Sequence, residues 1–331
     1  MKISILGAGT WGMALARLLA NKGYAVTVWS ALEAEIEAYR MGKGNQYLPD
    51  MEIPASIVFT GDMEEACTDR DIVLFAVPSV FVRTTAEKAA KYIKNGQIIV
   101  DVAKGIEAHT LCTMSEIIQD EFTKAGVEAR YVVLSGPTHA EEVAKDLPTT
   151  IVSTSADLEA AKIVQDTFNT DRMRVYTNLD SKGAELCGAL KNIIALASGI
   201  SKGMGFGDNA RAALLTRGMA EITRLGIKMD CEESTFYGLT GIGDLIVTAT
   251  SEHSRNNRAG FLIGQGFSVE EAKKKVGMVV EGINAIPSAI ELADKYQVEM
   301  PLIQAVNRII NEGCDPKEEI EKLMRRTKKM E

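Results

Sequence analysis

The sequence predicts an α/β protein in which a parallel, doubly wound sheet is followed by an all-helical domain. Three observations support this fold class. The chain opens with a strand, a glycine-rich turn, a helix and a second strand; apolar runs then alternate with helical segments as far as about residue 180; beyond that point β-branched runs give way to helical periodicity. A chain of 331 residues is long enough for two domains, which we place at 1–180 and 181–331.

The opening segment carries the most informative motif. An apolar run ending at Leu6 leads into Gly7-Ala8-Gly9-Thr10-Trp11-Gly12, and an amphipathic segment and the β-rich run 25–29 follow. This is the G-x-G-x-x-G pattern in the strand–helix–strand context of a Rossmann-type dinucleotide site. The first glycine permits a tight turn, the second lets a pyrophosphate approach the backbone, and the third lets the helix pack against the strand. The free N–H groups at the helix N-terminus would bind the phosphates.

The end of the second strand leaves the identity of the dinucleotide open. An acid at this position accepts a hydrogen bond from a ribose 2′-hydroxyl, whereas an Arg accommodates a 2′-phosphate. This chain has Ser30-Ala31-Leu32, and Glu33 is the first acid. The choice between NAD(H) and NADP(H) is therefore not determined here.

The rest of the first domain repeats the alternation of strands and helices. Strands are predicted at 56–59, 71–77, 97–102, 131–134, 150–153 and 173–176, and helices at 33–39 and 158–168. The near-continuous apolar run 71–77 is typical of a strand buried on both faces. Strands alternating with helices predict a parallel sheet with right-handed crossovers. At the other end of the chain, the charged tail 317–331 predicts a solvated terminal helix.

Composition excludes several classes of protein. The formal net charge of −8 disfavours binding to nucleic acid or to an anionic membrane, because those partners need a positive field. Five dispersed cysteines and three histidines disfavour a metal site. We predict reduced thiols, a cytoplasmic location, no signal peptide and no membrane span. A small anionic substrate would need a local cluster of cations.

Two segments of the first domain lie where a ligand is expected. Ligands of a doubly wound sheet collect outside the carboxyl ends of its strands. Lys104 follows one such end, and Gly136 and Thr138 follow another. We therefore place Lys104 near the nicotinamide half of a bound dinucleotide, although its position fits a surface lysine beside a turn equally well.

The helix predicted from Lys182 to about Ser201 carries a second lysine of interest. Its bulky core stripe consists of Leu186, Leu190, Ile193, Ile194 and Ala197. Lys191 lies on a different face among small residues, which would leave room for a ligand. The alternative is helix–helix packing along this small face, with the lysine reaching out to water.

Two later segments present polar groups suited to an anion. The glycine-rich turn 239–244 ends in the carboxylate of Asp244, and segment 251–258 contains Ser254, Arg255 and Asn256 ahead of a helix predicted at 259–263. Arginine binds phosphate in a bidentate manner, and a helix N-terminus adds N–H donors. The second segment is therefore the best candidate for an anion site, and a capped helix start with solvated arginines is the alternative.

Taken together, these segments resemble the bacterial-type NAD(P)-dependent glycerol-3-phosphate dehydrogenases. Six motifs that carry the resemblance occur in order along nearly the whole chain: 7–12 (GAGTWG), 103–107 (AKGIE), 135–140 (SGPTHA), 190–192 (LKN), 240–245 (TGIGDL) and 254–256 (SRN). Segment 279–282 (VVEG) resembles the last cofactor contact of the family. The resemblance implies a 6-phosphogluconate-dehydrogenase-like plan of a Rossmann-type domain and a helical domain.

The resemblance also implies a reaction, in which a hydride moves between C2 of the substrate and C4 of nicotinamide. It would interconvert sn-glycerol 3-phosphate and dihydroxyacetone phosphate and supply glycerol 3-phosphate for phospholipid synthesis. Lys191 would be the general base, and Lys104 would polarise the substrate oxygen. A lysine base must lose its proton near neutral pH, which desolvation and the neighbouring cation of Lys104 would favour.

The binding residues are likewise implied by the resemblance. The expected substrate contacts are Lys104, Gly136, Thr138, Lys191, Asp244, Ser254, Arg255 and Asn256. The expected contacts to NAD(H) or NADP(H) are Gly7, Gly9, Thr10, Trp11, Gly12, Lys104, Ala140, Arg255, Val279 and Glu281.

One departure from the family and two alternative functions accompany this interpretation. The family often has Arg, commonly followed by His, where this chain has Ala31 and Leu32, which weakens any expectation of NADP preference. The nearest alternative is a related 3-hydroxyacid dehydrogenase with the same two-domain plan. A non-catalytic NAD(P)-binding sensor is an alternative from a different class. The sequence does not determine the oligomeric state, and a homodimer is compatible with it.

Overall fold

The computed structural model describes residues 1–328 and residue 330. The chain forms two compact units: the first comprises residues 1–107 and 112–185, and the second comprises residues 108–111 and the chain from Leu186 onward.

A single eight-stranded sheet is the framework of the first unit. Its strands are β1 Lys2–Leu6, β2 Ala25–Trp29, β3 Val58–Thr60, β4 Ile72–Phe75, β5 Ile98–Asp101, β6 Arg130–Ser135, β7 Thr149–Thr154 and β8 Met173–Asn178. They lie in the order β3-β2-β1-β4-β5-β6-β7-β8. The chain thus winds outward in both directions from β1, which confirms the doubly wound fold and places the switch point between β1 and β4.

The prediction of a wholly parallel sheet is wrong for one pair of neighbouring strands. β6 and β7 are antiparallel, with Val133 opposite Thr154 and Ser135 opposite Val152, whereas the other neighbouring pairs of the described sheet are parallel. The connection between β6 and β7 contains a helix of four residues, 140–143. Such a helix is too short to return the chain along the sheet for a parallel crossover, so β7 runs in the opposite direction.

Helices cover both faces of this sheet. They are α1 Thr10–Asn21, α2 Glu33–Arg40, α3 Met63–Cys67, α4 Val82–Ala89, α5 Met114–Lys124, α6 Ala140–Val143 and α7 Leu158–Phe168, with a 3₁₀ turn at Ser79–Phe81. In β4, Leu74 joins the core that contains α1, whereas Val73 and Phe75 join the core that contains α5. Because successive side chains point to opposite faces that are both buried, this strand reads as a continuous apolar run.

Every regular element in the described part of the second unit is a helix. These are α8 Ser181–Gly203 (which begins in the first unit), α9 Asp208–Lys228, α10 Glu233–Phe236, α11 Asp244–Thr250, α12 Arg255–Gly264, α13 Val269–Val276, α14 Glu281–Asn284, α15 Ile286–Lys295, α16 Pro301–Asn311 and α17 Pro316–Met324, with a π-helical turn at Leu239–Gly243. The predicted all-helical second domain is confirmed. Within the described residues, α8 alone is long and apolar enough to cross a membrane, and its apolar window is 100% buried inside the protein, as in a core helix.

A buried carboxyl group joins two helices of the second unit. Glu221 of α9 accepts hydrogen bonds from the backbone N–H groups of Leu302 at 2.8 Å and Ile303 at 3.2 Å, in the first turn of α16. These N–H groups have no partner within their own helix, so the contact satisfies them. Burial raises the pKa of Glu221 to about 7.

The terminal helix is shorter than the sequence predicts. α17 begins after the N-cap Asp315 and ends at Met324. A run of like charges interrupted by the β-branched Thr327 follows, and both features disfavour further helix. Lys329 and Glu331, which belong to the predicted helix, lie outside the described residues.

Candidate active site

The glycine turn between β1 and α1 has the shape that a pyrophosphate requires. Gly7 has a φ of 127°, and a Cβ at this position would lie 2.7 Å from the carbonyl group of Ala76. A Cβ on Gly12 would lie 2.1 Å from the carbonyl oxygen of Gly7. At Gly9, by contrast, a Cβ would meet nothing within 4 Å, and no side chain caps the helix there. The turn is therefore open at the helix N-terminus and fits the pyrophosphate of a dinucleotide.

Tyr39, in the last turn of α2, supports the glycine turn. Its hydroxyl donates to the carbonyl oxygen of Ala8 at 2.8 Å and accepts from Nδ2 of Asn45 at 2.8 Å, and its ring stacks on Phe59 with 4.9 Å between centroids. Burial raises the pKa of Tyr39 to about 12, so the hydroxyl remains a donor at physiological pH. Sequence reasoning missed Tyr39, although an aromatic side chain in an otherwise polar helix was an available signal.

Lys104 lies at the carboxyl ends of the strands together with the turn that follows β6. Its Nζ donates to the carbonyl oxygen of Gly136 at 3.2 Å, and the hydroxyl of Thr138 donates to the same oxygen at 3.2 Å. Gly136 has a φ of 151°, and a Cβ there would lie 3.2 Å from the backbone of Ile151. Ala140 begins α6 a few residues later and is buried. The structure therefore brings together the predicted site residues of these two segments.

The loop that carries Lys104 is held at both ends. At its start, Oδ1 of Asp101 accepts a hydrogen bond from the backbone N–H of Ala103 at 3.1 Å. At its end, Glu107 forms a bidentate pair with Arg83 of α4, with N···O distances of 2.7 and 2.5 Å. Two carboxylates of α5 complete the surroundings of this guanidinium group. Bidentate pairs restrict orientation as well as distance, so Arg83, which sequence reasoning did not single out, positions the loop.

Two buried carboxyl groups lie close to the same loop. Glu185 accepts hydrogen bonds from the hydroxyl and the backbone N–H of Ser115 at 2.6 and 2.7 Å, and from the hydroxyl of Thr113 at 2.9 Å. Burial raises the pKa of Glu185 to about 7. Burial, together with the charge of Glu185, raises the pKa of Asp101 well above its usual range. Oδ2 of Asp101 is buried without a hydrogen-bond partner in the described chain. The free-energy cost of this burial is smallest when the carboxyl group is protonated and therefore neutral.

Lys191 occupies the centre of the second candidate cluster, within the second unit. Its Nζ lies 2.8 Å from Oδ1 of Asp244 and also donates to the hydroxyl of Thr248. The side chains of Lys191 and Asp244 are 5% and 1% exposed. The glycine-rich turn predicted at 239–244 forms the π-helical turn that precedes α11, and Asp244 is the first residue of that helix.

This pairing changes the electrostatic environment expected for Lys191. From the sequence, desolvation and a neighbouring cation were expected to act on it. The structure shows that the lysine side chain is buried and adds a carboxylate in contact with its ammonium group. An opposite charge at this distance stabilises the charged form. The cluster therefore holds a buried lysine in contact with a carboxylate and a hydroxyl, an arrangement that can position a proton donor.

Asn256 links three helices around this cluster. Its Nδ2 donates to Oδ1 of Asn192 in α8 at 2.9 Å, and its Oδ1 accepts from the backbone N–H of Gly282 in α14 at 2.8 Å. A Cβ on Gly282 would lie 2.5 Å from the backbone oxygen of Asn192, so this close approach requires glycine. Glu281 is the first residue of α14 and Val279 lies two residues before it, and both are half-buried. Asn192 was absent from the predicted site residues.

The arginine of the predicted anion segment lies at a helix N-terminus. The helix begins at Arg255, and the predicted start at 259 is wrong because the hydroxyl of Ser254 acts as N-cap and accepts from the backbone N–H of Asn257 at 3.2 Å. Arg255 is half-buried, whereas Ser254 and Asn256 are buried. A guanidinium group and free N–H groups at one helix start can bind a phosphate.

Among the described residues, no group of three or more His, Cys, Asp or Glu side chains is arranged to hold a metal ion.

Comparisons with known proteins agree with both halves of the chain. The family model of the NAD-dependent glycerol-3-phosphate dehydrogenase N-terminus matches residues 2–161, and that of the C-terminus matches residues 180–321. Glycerol-3-phosphate dehydrogenase (NAD(P)+) 2 of Lactobacillus delbrueckii subsp. bulgaricus is 63% identical over 332 residues, covering 100% of this chain and 98% of that protein. The corresponding enzyme of Agathobacter rectalis is 51% identical, covering 100% of this chain and 97% of that protein. The crystal structure of glycerol-3-phosphate dehydrogenase from Coxiella burnetii superimposes with a TM-score of 0.93 at 36% identity, covering 98% of this chain and 99% of that one.

Proposed function

The chain belongs to the NAD-dependent glycerol-3-phosphate dehydrogenase family, and we propose that it interconverts sn-glycerol 3-phosphate and dihydroxyacetone phosphate with NAD(H) or NADP(H). The observation that carries the proposal is the buried pair of Lys191 and Asp244, in a chain whose two halves both match the family. A buried lysine held by a carboxylate can donate a proton as the ammonium and accept one as the neutral amine, which suits a carbinol–carbonyl conversion.

The bound dinucleotide would supply or accept the hydride at C4 of its nicotinamide. We assign its binding to Gly7, Gly9, Thr10, Trp11, Gly12, Lys104, Ala140, Arg255, Val279 and Glu281. The open glycine turn and the uncapped start of α1 support the pyrophosphate part of this assignment. The other contacts are inferred from the family motifs.

Lys191 would hold the proton that carbonyl reduction consumes. As hydride reaches C2 of dihydroxyacetone phosphate, negative charge develops on the C2 oxygen, and Nζ of Lys191 transfers a proton to that oxygen. In the reverse reaction, the neutral amine would take the hydroxyl proton. Asp244 would stabilise the ammonium form, and the Thr248 hydroxyl, which accepts from Nζ, would orient it. Lys104 would stabilise the charge on the same substrate oxygen.

The phosphate of the substrate would bind at the start of α12. Arg255 supplies the charge, and the first-turn N–H groups supply further donors. The Ser254 hydroxyl accepts one hydrogen bond as N-cap and can still donate one. Gly136, Thr138 and Asn256 complete the proposed substrate contacts.

Steady-state kinetics test this proposal most directly. Absorbance of the reduced nicotinamide would be followed with dihydroxyacetone phosphate and, separately, with 3-keto acids. We expect turnover with the phosphorylated ketone. Preferential turnover of the keto acids would favour the related 3-hydroxyacid dehydrogenase, and cofactor binding without any turnover would favour the non-catalytic sensor.

A matched pair of variants tests the assigned proton donor. Lys191→Ala should retain dinucleotide binding and lose at least about 100-fold in kcat. Lys202→Ala removes an exposed lysine from the same helix and should leave kcat unchanged. Near-normal turnover in Lys191→Ala would remove the assigned role. Arg255→Ala should mainly raise KM for dihydroxyacetone phosphate, and an unchanged KM would contradict the phosphate assignment.

The cellular location and the oligomeric state of the enzyme are also part of its proposed function. We propose that the enzyme acts in the cytoplasm, where it supplies glycerol 3-phosphate for phospholipid synthesis, and that it is a homodimer. An apolar groove of about 1110 Å³ between α9, α16 and α17 supports the dimer. Light scattering of the purified chain would measure its mass, and a monomer at micromolar concentration would contradict this part.

A further inference from the structure

The chain's preference for one dinucleotide can be inferred from the carboxyl ends of β2 and β3. In a Rossmann-type site the group after the second strand meets the 2′ position of the adenosine ribose. Here the buried Ser30 follows β2 directly, and its backbone N–H donates to the carbonyl oxygen of Thr60 at the end of β3. The side chains gathered around Ser30 are therefore those that the 2′ group would meet.

Glu35 is held at this position by Ser30. The hydroxyl of Ser30 donates to Oε2 of Glu35 at 2.6 Å and accepts from the backbone N–H of Leu32 at 3.1 Å. The carboxylate is thus drawn back from the first turn of α2 to the end of β2. Its other oxygen, Oε1, accepts no hydrogen bond from the described part of the chain, so an acceptor remains for a hydroxyl donor. Sequence reasoning overlooked Glu35 because it lies five residues beyond Ser30.

A second carboxylate lies at the end of β3. Oε2 of Glu33 would be 2.8 Å from a Cβ on Gly61, so this side chain lies against the residue that follows β3. The guanidinium group of Arg40 is 3.6 Å from Glu33 and donates to the carbonyl oxygen of Phe59 at 2.8 Å. The cation at this corner is therefore already engaged by protein oxygens.

These groups act differently on the two dinucleotides. A ribose 2′-hydroxyl can donate to the open oxygen of Glu35, as an acid at this position does in NAD-binding sites. A 2′-phosphate has no proton to donate and would add negative charge beside two carboxylates, which costs binding energy. Ala31 and Leu32, the exposed residues between Ser30 and Glu33, offer no compensating charge.

We infer that this chain binds NAD(H) in preference to NADP(H), and that Glu35, held by Ser30, determines this specificity. The inference rests on the dinucleotide site of the proposed function and adds the identity of its cofactor.

Equilibrium binding measures the preference without turnover. Both tryptophans of the chain lie near the site, since Trp11 lies in the first turn of α1 and Trp29 ends β2. Quenching of their fluorescence by NADH and by NADPH therefore gives a Kd for each. We expect NADH to bind at least about tenfold more tightly than NADPH, as the loss of one charge-assisted hydrogen bond predicts.

Three variants locate the determinant. Glu35→Gln should reduce the ratio of the two Kd values toward unity. Ala31→Arg, at an exposed position, should lower the Kd for NADPH about tenfold because it supplies a partner for the 2′-phosphate. Glu37→Gln removes the same charge from an exposed position of α2 about 6 Å along the helix from Glu33 and should leave the ratio unchanged.

The possible results distinguish this inference from the proposed function. Equal binding or tighter binding of NADPH by the unmodified chain would overturn the inference and leave the dehydrogenase assignment intact. An unchanged ratio in Glu35→Gln would overturn the role of Glu35. Failure of both dinucleotides to bind would overturn the dinucleotide site and with it the proposed function.

Discussion

The buried pair of Lys191 and Asp244 gives a stability prediction that follows directly from its geometry. With 2.8 Å between Nζ and Oδ1, the attraction is about 6 kcal/mol at an effective dielectric constant of about 20. Desolvation of both groups offsets much of this, because the side chains are 5% and 1% exposed. The net contribution of the intact pair is therefore small, but either group left alone keeps the desolvation cost without the attraction.

We therefore expect Lys191→Met and Asp244→Ala each to lower the free energy of unfolding of the second unit by about 3–5 kcal/mol. The double variant should lose less than the sum of the two, with a coupling energy of about 2–3 kcal/mol. Thr248 accepts a hydrogen bond from Lys191 in the parent, and we expect this bond to survive in Asp244→Ala.

Urea unfolding followed by far-ultraviolet circular dichroism is the appropriate assay. Tryptophan fluorescence is followed in parallel. Trp11 and Trp29 both lie in the first unit, so fluorescence reports that unit, whereas circular dichroism reports the helices of both units. In the single variants, the unfolding midpoints measured by circular dichroism and by fluorescence should differ, because the two units need not unfold together. Additive losses of less than about 1 kcal/mol each would refute the reasoning, since they would mean that water reaches both charges.

Three further predictions concern other parts of the chain. Arg83→Gln should lower kcat about tenfold by loosening the loop after β5. Arg130→Gln is the control, because it breaks another bidentate pair of the first unit and should lower only the melting temperature. Equal kcat values for the two variants would contradict this prediction. Tyr39→Phe should raise the Kd for NADH several-fold, about 1 kcal/mol, because Ala8 loses its hydrogen bond; unchanged quenching titrations would count against it. Glu221→Gln should flatten the pH dependence of unfolding. The folded-state pKa of Glu221 is about 7 and its ordinary value is 4.5, so this group contributes stability below about pH 4.5 that is lost as the pH rises to about 7, about 3 kcal/mol in total. The same slope in the parent and the variant between pH 5 and 8 would show that another group is responsible.

Local patterns in the sequence were sufficient for the fold class and for the family. Neighbouring backbone atoms leave no room for a Cβ at Gly7 or Gly12, whereas the space beside Gly9 stays open. The turn therefore requires glycine at its first and third glycine positions. Apolar runs and helical periodicity are also local signals, so the change from strands to helices near residue 180 was visible. Ordered motifs then identified the family without any knowledge of contacts.

The contacts that each site residue makes with distant parts of the chain were determined by the tertiary structure alone. Lys191 and Asp244 are 53 positions apart in the chain, and nothing in the local pattern of either shows that the carboxylate contacts the ammonium group. The same is true of four other features that local patterns did not show. They are the antiparallel pairing of β7 with β6, the hydrogen bond from Tyr39 to Ala8, the ion pair of Arg83 with Glu107 and the hydrogen bond from Ser30 to Glu35.

The physical reason is that these contacts are directional and specific to individual atoms. Burial patterns repeat along a helix or strand and can be read from residue type, because the hydrophobic effect is non-directional. A hydrogen bond or a buried ion pair depends on distances of a few tenths of an ångström between distant segments, and those distances exist only once the chain has folded.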